Sequence, residues 1–496
     1  MRRCIFTALW MLLCLHASSQ SMDRRAVETD LEHLRLEAAA QKSLSLPIEK
    51  DLPYYQSRIL FLKFLVTEDP ELLPLFLDHS KRSLKKLDKL PDTDAEKNVM
   101  MAELFFLRGV GKMLDKKLVG SAIDIKSACT LIDKNAQRFP ENVEQKKLLG
   151  MFHVAMSAIP KKLRWLSNAL CFRGDLDTGM GYLKQAAESS RLLPNEAQVA
   201  LFYFEKNLLS EPDKALARME RMRELHSNSI VFAYLKLSAL LEQRRIDDAI
   251  TFAASLEDKL IGEDAVSPLP LWHYSRAKAH YFRLEYQAAI THFDRFLDAY
   301  KGKTLYSDAL FRKGMSLVLM DRYEEARRIF HQMSNVESST FDEDEYASHM
   351  AAIYRFREPS AQDKDLFRAR NLFDGGYYDA SLAILDSLAA DLDVLNENQR
   401  TELHYRRGRN HHALTHPSLA RKHYTSCVNT QPGQALWMRV YAHYYLGKLE
   451  EEAGNTETAR EWYRKALEFD DYEYQSGLEQ RTKAALHRMK NTKSTP

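Results

Sequence analysis

The chain has 496 residues, 45% of them hydrophobic and 28% charged, with 71 Lys and Arg against 69 Asp and Glu. That length exceeds what one compact core usually reaches, so several domains or an extended repeat array are expected, and 17 Gly with 15 Pro are too few for a many-stranded sheet and its turns. Near-balanced charge, with no basic stripe interleaved with aromatics, excludes a general nucleic-acid binder.

Residues 1–19, MRRCIFTALWMLLCLHASS, set Arg2 and Arg3 before an apolar run from Ile5 to Leu15 and end in small residues, the pattern of a secretory signal peptide. The run is shorter than the roughly twenty residues a spanning helix needs. Leu13 before Cys14 is bulky where a bacterial lipoprotein signal places a small residue. Losing this leader removes the two surplus arginines and leaves a neutral mature chain with Cys129, Cys171 and Cys427. An odd number of distant cysteines without a CxxC argues against a disulfide framework and against zinc. No Asn-x-Ser/Thr acceptor occurs, which is compatible with a bacterial periplasm, so an exported, periplasmic or cell-envelope protein is expected.

Residues 20–159 form an irregular helical N-terminal and capping block. DLPYYQSRILFLKFLV and ELLPLFLDHSKRSLKKLDKL predict a helix pair broken at Pro70, and EKNVMMAELFFLRGVGKMLDKKL a longer amphipathic helix. Asp175, after Gly174, has the character of an N-cap for a helix through Leu183.

From residue 160 a repeat emerges. Gly447, Ala459, Tyr463 and Ala466 keep the intervals of Gly408, Ala420, Tyr424 and Cys427 (with Pro432 beyond), of Gly314, Ala326, Phe330 and Met333, and of Ala277, Ala289, Phe293 and Phe296. A small residue on each of two antiparallel helices lets the backbones approach, and an aromatic one turn later fills the space between neighbouring hairpins. With weaker copies the small anchors fall at 179, 215, 249, 289, 326, 380, 420 and 459, separated by 36, 34, 40, 37, 54, 40 and 39. Such periods predict an all-α fold, an α-solenoid of helix-turn-helix repeats of the tetratricopeptide type. A first array covers 160–333, and an insertion over 334–363 carries the acidic loop VESSTFDEDEY and one extra helix. A second array with a C-terminal capping helix covers 364–490, and 491–496 is a disordered tail.

Leu118–Asn135, Leu148–Glu188 and Tyr463–Lys490, in this order and spacing, resemble the tetratricopeptide repeat protein 39 and inclusion body clearance protein family. The family pattern is met by Ile159, Pro160, Leu163, Leu166, Phe172, Gly174, Asp175, Gly179 and Leu183. The resemblance implies an all-helical adaptor with no catalytic residues to carry over. The chain departs from that family in its leader, since those proteins look intracellular.

Motifs for chemistry are weak. GVGKM at Gly109–Met113 lacks the earlier glycine of a phosphate loop, at Phe106, and the closing Ser or Thr, at Met113. HHALTH places His412 and His416 one turn apart, but no carboxylate follows in the zincin manner and His416 precedes Pro417, so a solvated turn is the plainer reading. No HExxH or GxSxG occurs, and Cys427 occupies a small-residue packing position. No enzyme, cofactor or metal is expected.

In stacked hairpins the first helix of each pair lines the concave face. By their spacing from the anchors, Tyr274, Lys278 and Tyr281, then Tyr405, Arg409 and His412, then Tyr444, Lys448 and Glu451 would line a groove. Tyrosine beside Lys or Arg suits a protein or peptide partner, the ring giving apolar area and the cation pairing with carboxylates. The same residues would also serve as the solvated side of ordinary amphipathic helices. The expected function is a non-enzymatic exported scaffold for such a partner, without nucleic acid and without an integral membrane segment once the leader is gone. The alternative is a small-ligand or glycan-capturing envelope protein, for which only the Met333–Lys364 insertion has the needed length.

Overall fold

The computed structural model describes residues 22–157, 174–256, 269–336, 339, 341–430 and 436–491. The leader at 1–19, the resemblance residues Ile159–Phe172, Cys171, Pro432 and residues 492–496 of the tail lie outside these described residues. Among the described residues are 24 α-helices, two 3-10 turns and no strand. The fold is all-α, of the helical solenoid class built from tetratricopeptide-type hairpins. No helix among them is long and apolar enough to cross a membrane.

The chain divides into two compact units, one of Met1–Gln243, Thr251–Ser275 and Asp298–Gly302, the other of Arg244–Ile250, Arg276–Leu297 and Lys303–Pro496. In the first, helix Asp51–Thr67 ends where Glu68 turns left-handed (φ 49°) ahead of Pro70, and helix Leu72–Leu87 returns against it. Asp175 caps helix Leu176–Ser189 by accepting the Thr178 N–H at 2.8 Å. That helix crosses Lys146–Ser157 closely: a Cβ on Gly150 would lie 2.8 Å from the Gly179 carbonyl oxygen, and one on Gly179 would lie 2.9 Å from that of Gly150.

The centre of this unit is ionic rather than oily. Arg58 pairs with Glu103 at 3.0 Å and with Glu196, while Lys147 reaches the same two carboxylates at 2.7 and 2.5 Å. Two cations and two anions from four helices therefore neutralise one another where none exceeds 4% side-chain exposure. The Tyr54 hydroxyl donates to Glu103, and that of Tyr55 donates to Glu28. Such a cluster survives burial because every charge meets partners from other helices. Cys129 is disulfide-bonded, a link the cysteine spacing gave no reason to expect.

In the second unit the anchors do what small residues are needed for. Ala326, Ala420 and Ala459 are fully buried, and Gly314, Gly408 and Gly447 face Phe330, Tyr424 and Tyr463. One anchor slips by a residue: Ala380 is exposed, whereas Ser381 is fully buried and donates its hydroxyl to the Ala369 carbonyl at 2.8 Å. The reason is phase. Ser381 follows Ala369 by the same twelve residues that separate Gly408 from Ala420, and its own hydroxyl satisfies itself at the crossing.

Successive hairpins are tied at their starts. Capping boxes at Ser360/Asp363 and Asn396/Gln399 begin helices Ala361–Asp374 and Glu397–Ala413. The Gln399 amide also donates to Ser360 at 3.1 Å and to Asp363 at 2.7 Å. The insertion contributes helix Asp342–Tyr354, whose Asp344 accepts the Leu305 and Asp308 N–H groups at 2.8 and 2.9 Å. Helix Tyr306–Leu319, whose own N-cap Leu305 supplies no side-chain cap, is thus capped from the insertion.

Candidate functional site

The candidate site lies in the second unit, on helices Ala361–Asp374, Glu397–Ala413 and Leu436–Glu452. Helix Glu397–Ala413 carries Tyr405 and Arg409 one turn apart, so both project from one face. The Arg409 guanidinium lies 4.8 Å from the Phe373 ring centre and 4.6 Å from that of Tyr445, and donates to the Tyr405 hydroxyl at 3.0 Å. Rings on either side stabilise a cation through their negative faces. Among the described residues no carboxylate is paired with Arg409, although it remains charged at any working pH.

Rings continue from that point. Tyr445 stacks on Tyr424 at 5.4 Å and 12°, while Tyr405 meets Trp437 edge-on at 5.5 Å. Trp437 meets Tyr474 at 5.4 Å, and Tyr474 meets Tyr346 at 5.8 Å. A second cationic position lies at that end. Arg370 sits 4.9 Å over the Tyr346 ring and donates to its hydroxyl at 2.8 Å, and its paired carboxylate, Asp374, is 3.9 Å away. Arg370, Tyr346, Tyr281, Phe367 and Arg312 border a partly open cavity.

The nine residues expected from sequence fare differently. Tyr405, Arg409, His412 and Tyr444 are brought together around Tyr445, with His412 5.9 Å and Tyr444 5.3 Å from its ring. Tyr405 is buried, so it supports Arg409 from the core rather than offering surface, and burial pushes its phenol up. His412 bonds Glu452 at 3.1 Å, and burial pulls its pKa down. Lys448 is exposed and pairs with Glu452 at 3.6 Å. Glu451 is engaged by the Tyr463 hydroxyl at 2.6 Å and by Arg488 at 3.3 Å. Lys278 is half-buried 5.7 Å from the Phe282 ring, Tyr281 borders the Arg370 cavity, and Tyr274 is a buried residue of the first unit.

Spacing did not find Phe373, Tyr445, Arg370 or Tyr474. Tyr445 directly follows Tyr444 on the same helix, and Phe373 belongs to the hairpin whose small anchor is Ser381 rather than Ala380. Elsewhere, Gly109–Met113 lies inside helix Ala95–Leu114, with the glycines used for packing against Ile125 and Leu73. Cys427 is a buried thiol pushed up by burial, aimed at the Met438 carbonyl. His411 stacks on His423 at 5.4 Å rather than joining a ligand set, and no metal-holding cluster occurs among the described residues.

Residues 145–339 match the family described as Iml2/Tetratricopeptide repeat protein 39, and residues 440–472 match a tetratricopeptide repeat. No curated protein matches the chain. Among solved structures, the APC/C hetero-tetramer Cut9-Hcn1 is 14% identical, covering 90% of this chain and 87% of that one with a TM-score of 0.28. The human IFIT1 dimer with m7Gppp-AAAA is 13% identical, covering 94% and 93% with a TM-score of 0.30. Values this low transfer neither a superposition nor a ligand.

Proposed function

We propose that this chain, a tetratricopeptide-repeat protein of the Iml2/Tetratricopeptide repeat protein 39 family, is a non-catalytic scaffold that holds a protein partner on the arginine-aromatic face of its second unit. Repeats of this type serve protein–protein interaction, and a stacked hairpin array supplies a preformed surface that loses little entropy on binding. The observation that carries the reading is Arg409, held between Phe373 and Tyr445 with a hydroxyl as its only hydrogen-bond partner among the described residues. A partner carboxylate reaching it would gain a charge-assisted bond in a place walled by rings, while Tyr445 and its neighbours supply apolar area.

Purification of the intact protein from its native source, with partners identified by mass spectrometry, tests this. A partner retained by the native chain and lost from Arg409→Gln at unchanged helicity supports the face. Equal retention by both overturns it.

Export is part of the proposal. It is supported by the Arg2–Ser19 leader pattern and by the Cys129 disulfide, a bond favoured by oxidising compartments. Mass analysis of the mature N-terminus checks it: a chain still beginning at Met1 in a cytosolic fraction rejects both export and an envelope site. The small-ligand alternative needs a long loop insertion, and only the Met333–Lys364 insertion has the length. Its helix Asp342–Tyr354 is instead packed, with Asp344 committed to capping, so no observation favours that reading.

A further inference from the structure

The linker between helices Thr456–Ala466 and Gln475–Asn491 contains the sequence Asp470-Asp471-Tyr472-Glu473-Tyr474, three acids and two tyrosines in five residues. It does not run free over the surface. Tyr474 inserts between Trp437 (5.4 Å) and Tyr346 (5.8 Å), beside Arg370, and the Glu473 carboxylate lies 3.7 Å from His349 Nε2. Burial pushes the Glu473 carboxyl up, with His349 and Arg370 acting in the opposite sense. Gln475 folds the linker back by accepting the Asp471 N–H at 2.9 Å and donating to Asp470 at 3.1 Å.

We infer that this linker is a seated self-peptide, and that the face formed by Arg370, Tyr346, His349 and Trp437 recognises an acidic, tyrosine-bearing segment of a protein partner that displaces it. The inference rests on reading the second unit as a protein-binding surface and specifies the chemistry of what binds. Three features argue for that occupant. The face sets the Arg370 cation and the His349 imidazole among the Tyr346 and Trp437 rings, and the segment lays on it the Glu473 carboxylate and the Tyr474 ring, with Asp470 and Asp471 exposed beside them. Arg370 keeps its own helix's Asp374 at 3.9 Å, too far for a good hydrogen bond, so among the described residues it is met by the Tyr346 hydroxyl, with the linker's Tyr474 beside it. The linker is joined to its site by a short tether, so an intramolecular acid–tyrosine pair competes at high effective concentration with any external one.

A fluorescent peptide of sequence DDYEYQ, titrated into the full-length chain, tests the inference by anisotropy. The native chain should bind weakly, because the apparent affinity falls with the fraction of open sites. Glu473→Gln combined with Tyr474→Ala should bind about tenfold tighter or more. Adding Arg370→Gln should abolish the gain, while Arg409→Gln should leave it. No saturable binding to the opened variant, or binding indifferent to Arg370→Gln, overturns the inference. Should the double variant lose its helicity, Glu473→Gln alone, which leaves the ring in place, must show the same direction of change. Loss of partner retention by Arg409→Gln without any effect of Arg370→Gln on the peptide would sink this inference and leave the broader function standing.

Discussion

A Cβ added to Gly408 would lie 2.6 Å from Cδ1 of Tyr424, and the same meeting recurs at Gly314 with Phe330 (2.4 Å) and Gly447 with Tyr463 (2.8 Å). One helix therefore presents bare backbone to an aromatic ring of its partner, sixteen residues on in each case. The ring is rigid and fully packed, so it cannot make room by swinging a flexible end. Gly408→Ala should destabilise the second unit by about 1–3 kcal/mol despite alanine's better helix propensity. Among the described residues nothing lies within 4 Å of a Cβ added to Gly181 in helix Leu176–Ser189, so Gly181→Ala should stabilise by about 0.5–1 kcal/mol. Urea unfolding of the two variants checks the opposite signs, and a neutral Gly408→Ala would show that the crossing is looser than the distances imply.

The buried ionic cluster of the first unit predicts a larger loss. Lys147→Met leaves Glu103 and Glu196 to share Arg58 alone, so one negative charge stays buried without compensation. Burial, with Arg58 acting in the same sense, pulls the Lys147 ammonium down against the opposing pull of Glu103. A cost of about 3–5 kcal/mol is expected from equilibrium unfolding. A change below 1 kcal/mol would mean that the carboxylates find water or protons without strain.

Glu28 gives the first unit an unusual pH response. Burial raises its carboxyl from the ordinary 4.5 to about 7, against the Tyr55 hydroxyl bond and the nearby cations, which lower it. Between those values the folded chain keeps a proton that the unfolded chain has released. Its stabilisation is therefore whole below about pH 4.5 and lost as pH rises through 7, by about 3 kcal/mol. Glu28→Gln should flatten the difference in unfolding free energy between pH 5 and pH 8 relative to the native chain. Parallel pH profiles for the two would reject the assignment.

The second unit carries the opposite response at His423. Burial first, then Arg407 and the stacked His404 and His411, lower its pKa from 6.5 to about 3. The unfolded chain binds a proton there that the folded chain refuses, so this contribution is present above pH 6.5 and fades as pH falls toward 3. His423→Gln should reduce the acid-induced fall in melting temperature between pH 6.5 and 5. A fall of undiminished size would assign it to other groups.

Much of this architecture was legible in the sequence because packing at a helix crossing tolerates so few residue types. Gly408, Ala420 and Tyr424 are hard to replace at their positions, so they recur at fixed intervals and betray the hairpin. Ala380 misled because two adjacent small residues, Ala380 and Ser381, offer two phases, and only the three-dimensional crossing with Ala369 decides between them. Arg58, Glu103, Lys147 and Glu196 were invisible as a set, since a charge on an amphipathic helix reads as solvated until helices distant in sequence converge on it. The aromatic face was half legible. Tyr405 and Arg409 followed from spacing, whereas Phe373, Tyr445 and Tyr474 depend on which elements stack against them.

The carboxylate of Asp344 has a consequence for how this array could have grown. By closing the open end of helix Tyr306–Leu319, a stretch that interrupts the regular period has become part of the hairpin before it. Excising residues 334–363 would not restore an uninterrupted row of modules. It would leave the Leu305 and Asp308 N–H groups of the module left behind without their acceptor, at a cost of about 1 kcal/mol, so a shortened chain would need at position 305 a residue able to close its own helix.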